Sequence, residues 1–524
     1  MPFHYKAFAI IMLVTWMSFL VARPVFLSFM SASDFTRRRN VWFALTAVAF
    51  LMPNFWLVVI VSVPLLTYAT VKDSNPPALY LILLLALPPL TRTLSIPGVI
   101  NEILGIDHLR LLALIVLAPE AIRLFNTRRP IPEAGLAVGT RTNWTIPDAL
   151  LLSYVTLQCI LTFPFQSITA SLRLTFELAA FSVMPYFVLS RFLNTRDRIV
   201  EAMAAFALGI AVLVPLGIVE FLSGAVLYQG LEGRWGETHI IGYLMRGEFL
   251  RAQVGAGHSL VFGFALAVAL GIWMYLQNRI ETRVWRWLGI VIFVIGLAVS
   301  LARGAWLGAA MTVITFSLVG PGAVRRFGTM VAIVGVICGA VALSPYGEKI
   351  VAFLPFFGAI GDGTVVYRQD LAGISWKIIK LNPLFGSFDY LQYMESLRQG
   401  EGIIDLVNSY AAIALSYGLV GAGLYVGFYL MIGWGCYNAL RRVAGVDADL
   451  SLMGASLLAC LAGTLLMIGT VSQYLSVPAV QLTVASLASA YAAIVQRYCD
   501  STLSESDDNF EAHQLARFRP FRSF

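Results

Sequence analysis

The residues in this 524-residue chain whose types and placing can do chemistry are three arginines, one histidine and a short acidic stretch. Arg251 lies in RAQVGAGHSLVFG, with His258 seven positions on, at the lip of an apolar run. Arg303 lies in SLARGAWLGA, between two apolar runs with almost no loop. Arg368 lies in VVYRQDLAGISWKIIKLNPLFGSFDY, and Asp405 and Asn408 lie in GEGIIDLVNSYAAIALSYGLVGAG, where a polar stretch re-enters an apolar run. An arginine held this close to hydrocarbon costs roughly 3 kcal/mol on insertion scales. It persists where it faces a cavity or meets an anion, and its planar fork grips phosphate through two parallel hydrogen bonds. Several such arginines without matching carboxylates predict an anionic ligand such as a diphosphate. Each residue also has a plainer reading. Arg303 fits a snorkelling side chain, Arg251 an ordinary loop arginine, and Arg368 a partner for Asp362 or Asp370. His258 fits a satisfied interfacial histidine, and Asp405 a cap for a helix that begins near Asn408. Glu177 and Glu220, within or beside apolar runs, read as structural partners.

These residues need elements to hold them, and composition says which. The chain is 59% hydrophobic and 12% charged, against about 25% charged in soluble domains. So few charges cannot coat a soluble protein of this length, so the apolar surface faces lipid. Fourteen apolar runs, from 7–22 to 478–496, do not alternate in polarity. They read as helices, because lipid leaves an open sheet edge without partners. The expectation is an all-α polytopic membrane protein with about 12–15 transmembrane helices in a single membrane domain. The 41–71 run, broken at Met52-Pro53-Asn54, reads as one tilted helix or two short ones, and the short 79–91 run holds Pro88-Pro89. The first run, Ala7 to Ala22, reads as a retained helix, because no cleavage site follows and Arg37, Arg38 and Arg39 do. Five cysteines lack zinc-ligand spacing. The chain carries no Walker loop, nicotinamide fingerprint or nucleophile elbow, and no polar domain that would bind nucleic acid.

Arginine placement sets orientation. With the C-terminus cytoplasmic, the inside loops hold Arg441 and Arg442, Arg325 and Arg326, Arg279 with Arg283 and Arg286, Arg191 with Arg196 and Arg198, and Arg128 with Arg129. The loops near 165–171 and 471–477 hold no Lys or Arg. Two long loops, 222–257 and 345–407, then fall outside. The second contains Gln369 to Ile379, which reads as an amphipathic helix lying on the membrane or covering a cavity. The polar tail, 500–524, reads as cytoplasmic and mobile.

Taken in order, the segments resemble the O-antigen ligase superfamily, which also includes Wzy-type O-antigen and exopolysaccharide polymerases. The order is Arg-x-x-Gly with a downstream His, Ala-Arg-Gly-Ala-Trp-Leu-Gly, an Arg before Asn-Pro-Leu-Phe-Gly, then Asn-Ser-Tyr with Gly-Leu-Val-Gly. The resemblance covers roughly 170–470. It implies a GT-C-like, cofactor-free and metal-independent glycosyltransferase of the bacterial inner membrane. The donor would be an oligosaccharide on undecaprenyl diphosphate, and a large periplasmic loop would close over the site. It implies that Arg251 and Arg368, with Arg303, hold the diphosphate, and that Asn408 and Tyr410 bind substrate. The family's histidine base is replaced by Val407, which leaves Asp405, then Glu401 and His258, as candidate bases. That departure turns the reading from a lipid A core ligase towards a polysaccharide polymerase. Such an enzyme is expected to meet chain-length regulators or export proteins. A lipid-linked glycan transporter is the rival class, in which polar groups gather near the bilayer midplane.

Overall fold

A computed structural model describes residues 3–96, 100–126, 144–235, 242–320, 362–398, 404 and 406–517, with positions 322, 325 and 328. The helices in chain order are α1 (Phe3–Phe26), α2 (Ala32–Leu51), α3 (Phe55–Lys72), α4 (Pro76–Leu83), α5 (His108–Leu112), α6 (Ala118–Asn126), α7 (Ile146–Thr162), α8 (Ile168–Leu178) and α9 (Met184–Phe192). They continue with α10 (Arg196–Ser223), α11 (Gln229–Trp235), α12 (Ser259–Leu276), α13 (Arg283–Ser300), α14 (Arg303–Leu318), α15 (Asp362–Leu381), α16 (Ser409–Val443), α17 (Ala448–Ile468) and α18 (Val477–Arg517). Two hairpins interrupt them: β1 (Arg92–Ile96) pairs with β2 (Ile100–Ile106), and β3 (Met245–Arg246) with β4 (Phe249–Leu250). Among the described residues, ten helical segments are long and apolar enough to cross a membrane. The chain is an all-α, multi-pass membrane protein.

Helices that are apolar all round sit inside such a bundle. α10, α12, α17 and the first half of α18 are buried on nearly every face. α1, α3, α7 and α13 turn Leu13, Ile60, Ile160 and Val291 outward, where lipid solvates them. The 41–71 run divides at Pro53 into α2 and α3, and the Asn54 side chain caps α3 by accepting from the Trp56 N–H at 2.8 Å. The 79–91 run is helical only to Leu83, yet every residue from Asn75 to Leu90 is buried. Its freed backbone needs partners, and Leu83 O finds one in His108 Nε2 at 2.7 Å. The 329–344 run lies outside the described residues. The tail read as mobile continues α18 to Arg517.

The end of the bundle where α10 begins and α12 finishes closes its charges in pairs. Arg38, fully buried, bridges Asp73 at 2.6 Å and Glu201 at 2.8 Å. Arg196 and Arg279 share Asp449, and Arg196 also reaches Asp447 at 3.1 Å. Arg191 pairs with Asp148. Buried charges are stable in this form, with partners and further hydrogen bonds.

Candidate functional site

The opposite end is built differently, and the construction starts from one carboxylate. Glu220, fully buried near the end of α10, accepts the N–H groups of Leu227 at 2.9 Å, Gln253 at 2.8 Å and Val254 at 2.9 Å. Glu220 is thus the structural partner anticipated for it. Glu177 is likewise paired, with Arg110 at 3.2 Å. The Glu220 clamp fixes the segment that carries Arg251. Arg251 N–H donates to Leu244 O at 2.8 Å, and Ala252 N–H to Val299 O at 3.1 Å. Gly255 then lies so close to the non-helical leucine segment that a Cβ there would sit 2.2 Å from Leu85 O; only glycine fits. Glu220→Gln leaves one acceptor oxygen for three buried donors. It should lower stability by about 1–3 kcal/mol, read as a lower unfolding temperature in detergent.

The β3–β4 hairpin, turning at Gly247 with φ +59°, brings Arg246 beside Arg251. Arg246 Nη1 donates to Leu301 O at 2.5 Å. Leu301, at the left-handed φ of +48°, ends α13 and turns the chain into Arg303 of α14. Arg246 is pushed down to about 10, first by burial and then by Arg303 and Arg368. Arg251 is pushed down to about 10 by burial and then by Arg246. Both therefore stay charged at neutral pH while repelling their neighbours. Neither forms an ion pair with a described carboxylate, and Arg251 Nε is buried without a hydrogen bond among the described residues. The structure thus gathers Arg251, Arg303 and Arg368 and adds Arg246, which the sequence analysis did not single out. Its signal is the short RGEFLR hairpin that sets two arginines five residues apart around a glycine turn.

Arg368 arrives on α15, longer than the Gln369–Ile379 helix expected. With Leu371, Ser375, Trp376, Val407 and Asn408, it lines a cavity of about 230 Å³. A backbone lock holds α15 there. α16 breaks at Gly418, whose φ of +66° and ψ of −171° only glycine adopts. The Asn382–Gly386 segment fills the break: Leu419 N–H donates to Pro383 O at 2.8 Å, Val420 N–H to Leu384 O at 3.2 Å, and Ser387 N–H to Leu415 O at 2.8 Å. The two glycine-bearing motifs of the sequence are therefore two halves of one joint.

Asn408 caps α16, its Oδ1 accepting from Tyr410 N at 3.0 Å and Ala411 N at 3.1 Å. Asn408 also lines the Arg368 cavity, so its amide has a structural task besides any contact with ligand. Tyr410 donates its hydroxyl to Leu465 O at 2.7 Å. Asp405 and Glu401 lie outside the described residues. The 469–476 turn joins the parts. Gly469 lines the Arg368 cavity, Thr470 packs on Gly304, and Tyr474 meets His258 edge to face with ring centroids 5.6 Å apart.

His258 caps α12, its Nδ1 accepting from the Leu260 N–H at 3.1 Å. That bond places the ring proton on Nε2, so His258 offers a donor rather than a base. Burial, then Arg251, pushes it down to about 4. Its folded pKa lies below the unfolded 6.5. The neutral ring's contribution is therefore complete above about pH 6.5 and is lost as pH falls towards 4. His258→Asn keeps a capping group and should blunt the acid-induced fall in unfolding temperature, by about 1–3 kcal/mol at pH 4.

Compared with known protein families and with curated proteins, the chain matches none. Its chemistry is carried by its own geometry. An apolar groove of about 430 Å³ runs between α1, α10 and α13, lined by Val14, Val21, Pro215, Val219, Trp273 and Phe293 among others. Its lining on α10 runs from Ala211 to Val219, the residue before Glu220. The described residues contain no group of three or more His, Cys, Asp or Glu placed to hold a metal ion.

Proposed function

We propose that this protein is a polysaccharide polymerase of the bacterial inner membrane. In this reading it is a GT-C-like glycosyltransferase that works on undecaprenyl-diphosphate-linked glycan at the periplasmic face, with its C-terminus in the cytoplasm. The observation that carries the reading is the cluster of Arg246, Arg251, Arg303 and Arg368, of which the first two have no carboxylate among the described residues. Such a cluster suits a ligand with several negative charges close together. The apolar groove between α1, α10 and α13 suits the polyprenyl tail of the same molecule. The arginines of this cluster gather at one end of the bundle rather than at its midplane, a placing that favours an enzyme over a transporter.

In the reaction a sugar hydroxyl of the acceptor attacks the anomeric carbon of the lipid-linked glycan. The new glycosidic C–O bond forms as the bond to the diphosphate oxygen breaks. Undecaprenyl diphosphate leaves with the bonding pair, and its growing negative charge meets arginines already in place. Asp405, or Glu401 behind it, takes the hydroxyl proton, a role that contributes about 100- to 10,000-fold. His258 Nε2–H donates a hydrogen bond nearby.

The test is the glycan of a deletion strain, separated by chain length. Single repeat units on the lipid carrier, with long chains lost, are expected. Long chains stranded on the carrier would make the protein a ligase instead. Precursor trapped at the cytoplasmic face would make it a transporter and overturn the reading.

A further inference from the structure

A second cavity, of about 210 Å³, opens between α7, α8, α16 and α18. At about 30 Å³ of liquid volume per water, it has room for several waters or one monosaccharide ring. Tyr154, Gln158, Tyr425, Tyr429, Gln473 and Gln481 face it, and among the described residues no charged side chain does. Tyr154 and Gln158 stand four residues apart on α7, hence on one face. Across from them, Tyr425 Oη accepts from Gln473 Nε2 and from Gln481 Nε2, each at 2.9 Å. The Tyr425 ring lies 5.4 Å from that of Tyr154 and 5.1 Å from that of Tyr429, centroid to centroid. One wall is thus knit together. The Gln158 amide and the Tyr154 hydroxyl, on the other wall, have no hydrogen-bond partner among the described residues.

We infer that this cavity is a subsite for an uncharged sugar ring, the acceptor's end of the reaction; the inference rests on the glycosyltransferase reading above. An ion would lose its hydration here without a counter-charge. A hydrocarbon chain would leave the Gln158 and Tyr154 groups dry, at the cost of unmade hydrogen bonds. A pyranose satisfies both needs: its C–H face lies on aromatic rings, and its hydroxyls give to and take from amides and phenols, which themselves do both. The position agrees. The 469–476 turn puts Gln473 into this cavity, Gly469 into the Arg368 cavity and Tyr474 against His258. A sugar held here would therefore lie on the far side of one short turn from the arginines.

The test is saturation-transfer NMR on the full-length protein in detergent, with neutral methyl glycosides of D-glucose, D-galactose, D-mannose and N-acetyl-D-glucosamine. Wild type should transfer magnetisation to at least one glycoside. Gln158→Leu and Tyr154→Phe should each bind it roughly twofold to tenfold more weakly, as for one lost hydrogen bond, with unfolding temperatures like wild type. Tyr154→Phe removes one oxygen atom only, which guards against misfolding. Inorganic diphosphate should raise the unfolding temperature without displacing the glycoside. Transfer to no glycoside, or equal transfer in both variants, overturns the subsite. A diphosphate that leaves the unfolding temperature unchanged, with glycoside transfer intact, would instead sink the arginine reading and leave the sugar site standing.

Discussion

Arg251→Ala is expected to cut polymer yield by about 100- to 1,000-fold, the cost of removing one preorganised charge donor from a transfer site. The same variant should be as stable as wild type or more so. The second half of that expectation follows from the site's electrostatics. Arg251 is held by backbone hydrogen bonds of its own N–H and of Ala252, its Nε is buried without a hydrogen bond among the described residues, and Arg246 presses on it with like charge. Removing the guanidinium removes a strain the fold carries, so activity and stability should move in opposite directions, as they do where a site is kept at a cost to the fold. Arg251→Lys restores the charge but not the fork, and should recover only part of the yield. Gel analysis of carrier-linked glycan, together with unfolding temperature, reads both quantities. Normal polymer from the alanine variant would remove Arg251 from the site.

Gly418→Ala should cost about 3–5 kcal/mol or abolish the folded protein. A Cβ at Gly418 would sit 2.2 Å from Leu384 O, and the backbone there lies in a region closed to other residues. Both the break in α16 and the loop that fills it would have to move. α15 would move with them and carry Arg368 out of register. Gly423, five residues on in the same helix, has nothing within 4 Å of an added Cβ. Gly423→Ala should therefore leave the stability within about 0.5 kcal/mol of wild type. If the two variants melt alike, the joint does not hold α15.

Much of the architecture was legible because hydropathy acts locally. Most of the apolar runs among the described residues became helices where they fell, and Pro53 divided α2 from α3 at the place its ring dictates. Residues 84–90 were harder. Their run of leucines reads as helix, but Leu85 and Ala86 press against Gly255, and Leu83 just before them is bonded by His108, partners far away in sequence. The lock between Asn382–Gly386 and Gly418 was visible as two motifs but not as one object, since backbone hydrogen bonds leave no trace in residue type. Arg251, Arg303 and Arg368 stood out because arginine near hydrocarbon is costly. Arg246 did not, because only the hairpin turns it towards them. His258 read as an interfacial histidine before it read as a base, and its Nδ1 caps α12, a bond that residue type alone does not reveal. The neutral cavity was invisible, its walls being drawn from residues 154, 158, 425, 429, 473 and 481, each ordinary where it stands.

The buried segment from Asn75 to Leu90 also constrains how the chain is made. Only the eight residues Pro76–Leu83 are helical, too few to partition into a bilayer as an independent insertion unit. Its backbone at Ile82 and at Leu85–Ala86 packs closely against Gly209 and Gly255, which leave the ribosome more than a hundred residues later. Until then the non-helical backbone there has no place in lipid. The segment must wait, sheltered by the insertion machinery or by water, for α10 and the loop after it to arrive. Early synthesis therefore yields an open assembly, and the arginine end closes only when a late segment seats against an early one.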